Sequence, residues 1–244
     1  MSPYEFSARD SFACTDMVGH GTHNQPAGTW SDDTSMALAL CDSYRELGWW
    51  DVEDVRSKFK AWFSHGAYTV DGLFDIGNAT AQALRTGRGL SGEFDNGNGS
   101  LMRTIPLAFT DATDDEIRAL SAITHAHSTS CNACVDMVRI ARELIAGKPI
   151  SDAVPHALQL TTTPRGDIRS SGYVLDALRA ALWCLVNTST YEECVLAAVN
   201  LGDDTDTTAA VAGALAGIVY GLKAIPSEWL DTLRGKDVIE RCLF

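Results

Sequence analysis

Apolar residues recur along most of the chain at the three- and four-residue spacing that lines one face of a helix. From Thr34, TSMALALCDSYRELG keeps them on one side and stops at Gly48, a residue suited to the left-handed position that closes a helix. DVEDVRSKFKAWFSHG sets Asp51 three residues ahead of Asp54, close to a capping box, and ends at Gly66. The same grammar predicts helices near 76–86, 100–109, 114–127, 130–146, 151–160, 172–187, 190–200, 205–222 and 226–233. Alternating patterns bounded by turn signals are scarce, and no fixed-period repeat stands out. The predicted fold is therefore all-α, a compact multi-helix domain spanning 1–244 rather than a solenoid.

Two glycine-rich polar stretches interrupt this pattern, VGHGTHNQPAGTWSDDT (18–34) and SGEFDNGNGS (91–100), and each runs straight into a helix. In a helical protein, polar loops that feed helix N-termini are where ligands gather. The first carries His20 and His23, which lack a convincing second ligand pair and read as loop residues. A single CNAC, Cys131 to Cys134, has no matching second pair and reads as ordinary helix packing rather than a zinc site.

The most informative polar positions stand at two helix starts. LGDDTDTTAAVAGALAGIVYG (201–221) places Asp203, Asp204 and Asp206 ahead of a small-residue segment suited to close, central packing. WSDDTSMALAL repeats the theme with Ser31, Asp32 and Asp33. Carboxylates at a helix start complement its dipole and cap free N–H groups, which accounts for one or two of them. If the two starts meet, Ser31, Asp32, Asp33, Asp204, Asp206 and Thr207 gather four carboxylates and two hydroxyls. Four such charges cannot persist partly buried without cations. Hard oxygen donors without cysteine or histidine select Mg²⁺, Mn²⁺ or Ca²⁺, and four carboxylates balance two divalent ions.

Composition narrows the function classes. The chain has 244 residues, 45% hydrophobic, enough to bury a full core. A net charge of −13 argues against a broad surface for a nucleic-acid backbone. No apolar run is long enough to span a bilayer, and MSPYEFSARDSF lacks the layout of a signal peptide, so the expected location is cytoplasmic, without membrane partners. Seven cysteines, most within helical apolar patterns, fit reduced buried thiols.

GTWSDDTSMALAL (28–40), NGNGSLMRTIPLAF (96–109), THAH (124–127), SSGYVLDAL (170–178) and the 201–221 segment, in this order, together resemble the ADP-ribosylglycohydrolases, the family of dinitrogenase reductase-activating glycohydrolase. The resemblance implies an all-α fold with a two-metal centre, Mg²⁺ or else Mn²⁺, at the bottom of an ADP-ribose cleft. Its ligands would be Ser31, Asp32, Asp33, Asp204, Asp206 and Thr207, the residues that the charge argument selects. It promotes Glu5 of SPYEF, otherwise a terminal solvated residue, to a catalytic role. It makes Asn98, Gly99 and Ser100 candidates for cradling the diphosphate, and His125 and Tyr173 candidates for lining the ribose or stacking on adenine. One departure stands out: the family's Gly- and Ala-rich first helix is largely missing ahead of Glu5. That exposes core surface unless other segments cover it, and leaves Glu5 poorly fixed unless something else holds it.

The implied reaction is hydrolysis of the C1″ glycosidic bond of an ADP-ribosylated protein, releasing ADP-ribose. Water attacks, activated by the metal pair or by Glu5, and Asp33 relays the leaving-group proton. ADP-ribosyl-arginine is the first substrate expected; O-linked ADP-ribose, on serine or in O-acetyl-ADP-ribose, is the alternative. A catalytically inactive ADP-ribose-binding protein and a metal-dependent phosphohydrolase are the readings from other classes. Arg103 fits either a buried ion pair or a phosphate contact.

Overall fold

The structure, a computed structural model, describes residues 4–244. In chain order its α-helices are α1 (Asp32–Leu47), α2 (Val52–His65), α3 (Asn78–Thr86), α4 (Asp114–Ser121), α5 (Ser128–Ile145), α6 (Ile150–Ala153), α7 (Ala157–Thr162), α8 (Val174–Asn187), α9 (Tyr191–Val199), α10 (Thr205–Tyr220), α11 (Ser227–Thr232) and α12 (Lys236–Cys242). Among the described residues there is no strand, only isolated bridges between His20 and Gln25, Leu90 and His125, and Gly97 and Tyr173. The all-α expectation holds. No helix among them is long and apolar enough to cross a membrane.

The small residues of α10 explain its place. Its buried face of Val211, Ala212, Gly213, Leu215 and Ala216 lets it lie against α8 and α9 and also meet α1 and α5. The core then extends through Met36, Val55, Phe59 and Trp62, all fully buried. Burying each large apolar side chain stabilises the fold by about 1.5–3 kcal/mol. Gly48 and Gly66 do close α1 and α2 in the left-handed conformation, and the Asp51 carboxylate caps α2 by accepting from the N–H groups of Glu53 and Asp54.

Three predicted elements differ from the structure, and one helix, α12, was not predicted. The helix expected over 100–109 is two 3-10 helices, Leu101–Arg103 and Ile105–Phe109. Pro106 brings no N–H and biases Ile105 away from the α conformation. The helix expected over 114–127 stops at Ser121, because residues 124–126 pair with Leu90 instead: Leu90 donates to the Thr124 carbonyl and Ala126 to that of Leu90. The 151–160 helix is broken into α6 and α7 around Pro155 and His156, whose φ is +57°. α12, seven residues of KDVIERC, was too short and charged to signal itself, yet its Val238 and Cys242 seal a small cluster with Trp30, Leu38 and Cys41.

Arg103 makes no ion pair among the described residues. It is 1% exposed, lies over the Phe59 ring at 4.6 Å, and donates to Gly99 O (2.7 Å), Thr124 Oγ1 (3.0 Å) and Leu120 O (3.2 Å). Burial lowers its pKa to about 10, which still leaves it charged near neutrality. It thereby ties the glycine-rich loop to the core. Arg103→Ala is expected to cost roughly 3–5 kcal/mol, since three buried acceptors lose their donor. Chemical denaturation measures this, and an unchanged midpoint would contradict it.

Candidate active site

α1 and α10 begin in the same place. Carboxylate oxygens of Asp32, Asp33 and Asp206 lie within 4.8 Å of one another. Ser31 and Thr207 are buried alongside them, and Asp204 is half-buried at the start of α10. The six residues named at the two acidic starts are thus brought to one locus.

Capping does not account for them. Neither the Ser31 nor the Asp204 side chain caps its helix by accepting from a backbone N–H, whereas those of Asp51, Thr113 and Thr190 do so at α2, α4 and α9. Ser31 Oγ donates instead to Asp33 Oδ2 (2.7 Å), and Asn98 Nδ2 donates to Asp204 Oδ2 (2.8 Å). Asp33 Oδ1 is buried with no hydrogen-bond partner. A buried carboxylate oxygen without a donor is costly, and a hard cation is the partner that an all-oxygen set of four carboxylates and two hydroxyls suits. The residues therefore fit a divalent-metal centre.

Electrostatics agree. Burial first, then neighbouring carboxylates, raise Asp32 and Asp33 well above the ordinary range. The same causes take Asp204 to about 7, against the opposing bonds from Asn98 and Thr207. Without cations, the folded protein therefore holds protons here that the unfolded chain releases near pH 4. The stability this contributes is fully present below the unfolded values and lost as pH rises through the folded ones. The melting temperature of EDTA-treated protein is accordingly expected to fall between about pH 5 and pH 9, and Mg²⁺ to raise it more at about pH 8 than at about pH 6. A pH-independent gain on adding Mg²⁺ would contradict this.

Glu5 reaches the cage through the turn ahead of α10. Gly202 (φ +78°) and Asp203 (φ +61°) bend the chain, and a Cβ at Gly202 would sit 2.7 Å from the Arg9 nitrogen, so the N-terminal segment lies directly on this turn. Phe6 N–H donates to Asp203 O (2.7 Å) and Asp203 N–H to Ser7 O (2.9 Å). Arg9 fastens the segment further, donating to the carbonyls of Leu201 (2.8 Å), Arg165 (2.5 Å) and Ile168. Glu5 itself is 5% exposed, and its pKa is pushed up to about 9 by burial, then by Asp206, Asp75, Asp204 and Asp33.

Two residues near Glu5 escaped the sequence reading. His23, read there as a loop residue, has its Nε2 2.8 Å from Glu5 Oε2. Asp75, from LFDIGN, joins Glu5 and His23 with ligand atoms mutually within 4.8 Å; its pKa is raised by burial and then by Asp206. Neither carries a local signal, because segments at 5, 23 and 75 meet only in the folded chain.

The glycine-rich loop runs beside the cage. Asn98 N–H donates to Gly172 O (3.0 Å) and Val174 N–H to Asn96 O (3.1 Å), which sets Tyr173, 38% exposed, next to Gly97. Asn98 thus meets the cage through its side chain, its N–H being already paired. Gly99 leaves no room for a side chain: a Cβ would stand 2.7 Å from His125 Cε1. Ser100 is fully buried and its hydroxyl accepts from Ser121 Oγ (2.9 Å). His125, 3% exposed, bonds Thr124 Oγ1 (2.9 Å), and burial drives its pKa down to about 3, so it is neutral. Ser100 and His125 therefore lie beneath the loop and shape it, while Tyr173 is exposed beside it.

A cavity of about 500 Å³ extends from Ser31, Asp33 and Asp206 between α1, α9 and α10, where Ala37, Ala210 and Gly213 line it.

An all-helical frame that gathers two acidic helix starts at one cleft is the architecture of the ADP-ribosylglycohydrolases, and the chain belongs to that family: the family profile, described as ADP-ribosylglycohydrolase, matches residues 2–243. That places it among hydrolases of ADP-ribosyl linkages. It is 36% identical over 263 residues to ADP-ribosylarginine hydrolase Tri1 of Pseudomonas putida (strain GB-1), covering 97% of this chain and 71% of that protein. It is 32% identical over 234 residues to the ADP-ribosyl-[dinitrogen reductase] glycohydrolase of Rhodospirillum rubrum, covering 89% of this chain and 78% of that one. A solved structure titled ADP-ribosylglycohydrolase-related protein complex superposes with a TM-score of 0.82 at 30% identity, over 99% of this chain and 89% of that chain.

Proposed function

We propose that the protein is a metal-dependent hydrolase of ADP-ribosylated protein that cleaves the C1″–N bond of ADP-ribosyl-arginine and releases ADP-ribose. The observation that carries this is the pair of acidic helix starts that cap nothing, leave Asp33 Oδ1 unpaired, and have Glu5 beside them. Arginine is favoured over an O-linked residue by the activity for which the relatives are named.

Ser31, Asp32, Asp33, Asp204, Asp206 and Thr207 would hold two divalent ions, Mg²⁺ in the first instance and Mn²⁺ as a substitute. When bound, such ions supply positive charge that orients ribose hydroxyls and keeps the surrounding carboxylates ionised. Asn98 fixes the orientation of Asp204 through its 2.8 Å bond. Glu5 accepts a proton from water as the water oxygen attacks C1″. The C1″–N bond breaks through an oxocarbenium-like transition state, and the leaving guanidino nitrogen takes up the proton that Glu5 removed from water, relayed in our assignment by Asp33. Tyr173 offers an exposed ring for ribose or adenine; Gly99, Ser100 and His125 form the wall beneath the diphosphate.

The test is product analysis on arginine-linked and serine-linked ADP-ribosylated proteins. Free ADP-ribose from the arginine-linked protein, dependent on Mg²⁺, is expected. Release from the serine-linked protein alone moves the specificity to O-linked substrates. AMP as product overturns the glycohydrolase reading, and binding without release overturns catalysis.

A further inference from the structure

We infer that His23 is the positioning residue for Glu5: its imidazole N–H holds one carboxylate oxygen and frees the other to act on water. The inference rests on the assignment of Glu5 as general base. Glu5 lies in a turn rather than in a helix, followed by Phe6 at φ +61°, so its own backbone gives the side chain little direction.

What gives direction is the hairpin 19–27. Its closure is local and well braced: His20 N–H donates to Gln25 O (2.5 Å), Asn24 N–H to Gly21 O (3.1 Å), and His20 Nδ1 meets Asn24 Oδ1 at 2.9 Å. Gln25 Nε2 donates to His23 O (3.2 Å), and a Cβ at Gly19 would fall 2.4 Å from the Ala27 nitrogen, so the two arms touch. The tip of this hairpin makes two bonds to one residue. Thr22 Oγ1 donates to the Glu5 carbonyl (2.8 Å), and His23 Nε2 meets Glu5 Oε2 (2.8 Å).

The chemistry of the pair fixes roles. As a general base Glu5 acts in its ionised form, which only accepts, so in that form Nε2 is the protonated nitrogen of His23. Asp75 Oδ2 is 4.0 Å from the same nitrogen, beyond hydrogen-bond reach, so the donor belongs to Glu5. Phe74 backs the imidazole, with ring centroids 5.8 Å apart and planes at 52°. Oε2 is thereby committed, and Oε1 is the oxygen left for the water proton.

The experiment compares His23→Leu, His23→Gln, Glu5→Gln and the double variant Glu5→Gln/His23→Leu, each checked for an unchanged melting transition. His23→Leu is expected to lose about 10–100-fold in kcat, with KM and the Kd for ADP-ribose within about threefold of wild type. In His23→Gln the introduced amide nitrogen reaches the place of Nε2, so this variant is expected within about fivefold of wild-type kcat. In the Glu5→Gln background the leucine substitution should cost nothing more, since both act through one group. Wild-type kcat in His23→Leu, no recovery with glutamine, or an additive double variant would each overturn the assignment. A crystal structure of His23→Leu reads the clamp without any substrate: a Glu5 carboxylate that stays in place refutes it. Should wild type hydrolyse no ADP-ribosyl linkage, the proposed function fails, and that structure still decides whether His23 holds Glu5.

Discussion

Asp33→Asn is expected to move the stability of the protein in opposite directions with and without metal. In EDTA the variant should melt higher than wild type, because it removes one of several carboxyl groups that crowd a buried site and raise one another's pKa values. For a chain of this length each kcal/mol corresponds to about 2–4 °C, so a gain of a few degrees is the expected size. In Mg²⁺ the order should reverse, since wild type gains binding energy that the variant has lost. ADP-ribose release should fall on the order of 10³-fold or more, the scale of losing an electrostatic stabiliser at the reacting centre. Scanning calorimetry in both buffers, with the release assay, checks all three. Were Asp33 merely part of a helix start, its replacement would lower the melting temperature in both buffers.

Glu5→Gln carries the second large effect. The substitution keeps the shape of a residue that is 5% exposed and removes its ability to take a proton. A kcat loss of about 10²–10⁴-fold is expected, the usual contribution of a positioned base. The Kd for ADP-ribose should stay close to wild type, because the product no longer needs the base. Calorimetric titration beside steady-state kinetics separates the two quantities. A proportionate weakening of ADP-ribose binding would turn Glu5 into a binding residue and remove it from the proton transfer.

These expectations draw unequally on the sequence. The acidic helix starts were legible because their signal is local: Ser31, Asp32 and Asp33 on one side and Asp204 to Thr207 on the other each sit within a few residues, ahead of an apolar periodic run. Most helices were legible for the same reason, their apolar faces and closing glycines being set by near neighbours. Pro106 and Pro155 were in plain sight, yet the periodic pattern running across them was read as continuous helix. The early end of α4 lay deeper, since only the fold brings Leu90 against residues 124–126 to compete for their backbone groups. His23 and Asp75 were hidden altogether. Each stands alone in a loop, and their chemistry arises from closure of distant segments, His23 lying 18 positions from Glu5 and Asp75 a further 52 beyond His23. Ser100 and His125 show the converse: their motifs point to the ligand, while the fold tucks both under the loop that would face it.

The Arg9 contacts, the 202–203 turn and the 19–27 hairpin together fix Glu5. Glu5 is held from three sides without a helix of its own: by backbone bonds around Asp203, by the Arg9 anchor on Leu201 and Ile168, and by Thr22 and His23. Each of these contacts is long-range in sequence.

The central claim is that the two acidic helix starts form a cage for a pair of cations. Mn²⁺ titration of metal-stripped protein, followed by electron paramagnetic resonance, tests it most directly. Two equivalents per chain, spin-coupled as expected for ions about 3.5–4 Å apart, and lost in Asp33→Asn, are the expected result. Stoichiometry below one, or binding that Asp33→Asn leaves intact, would contradict it.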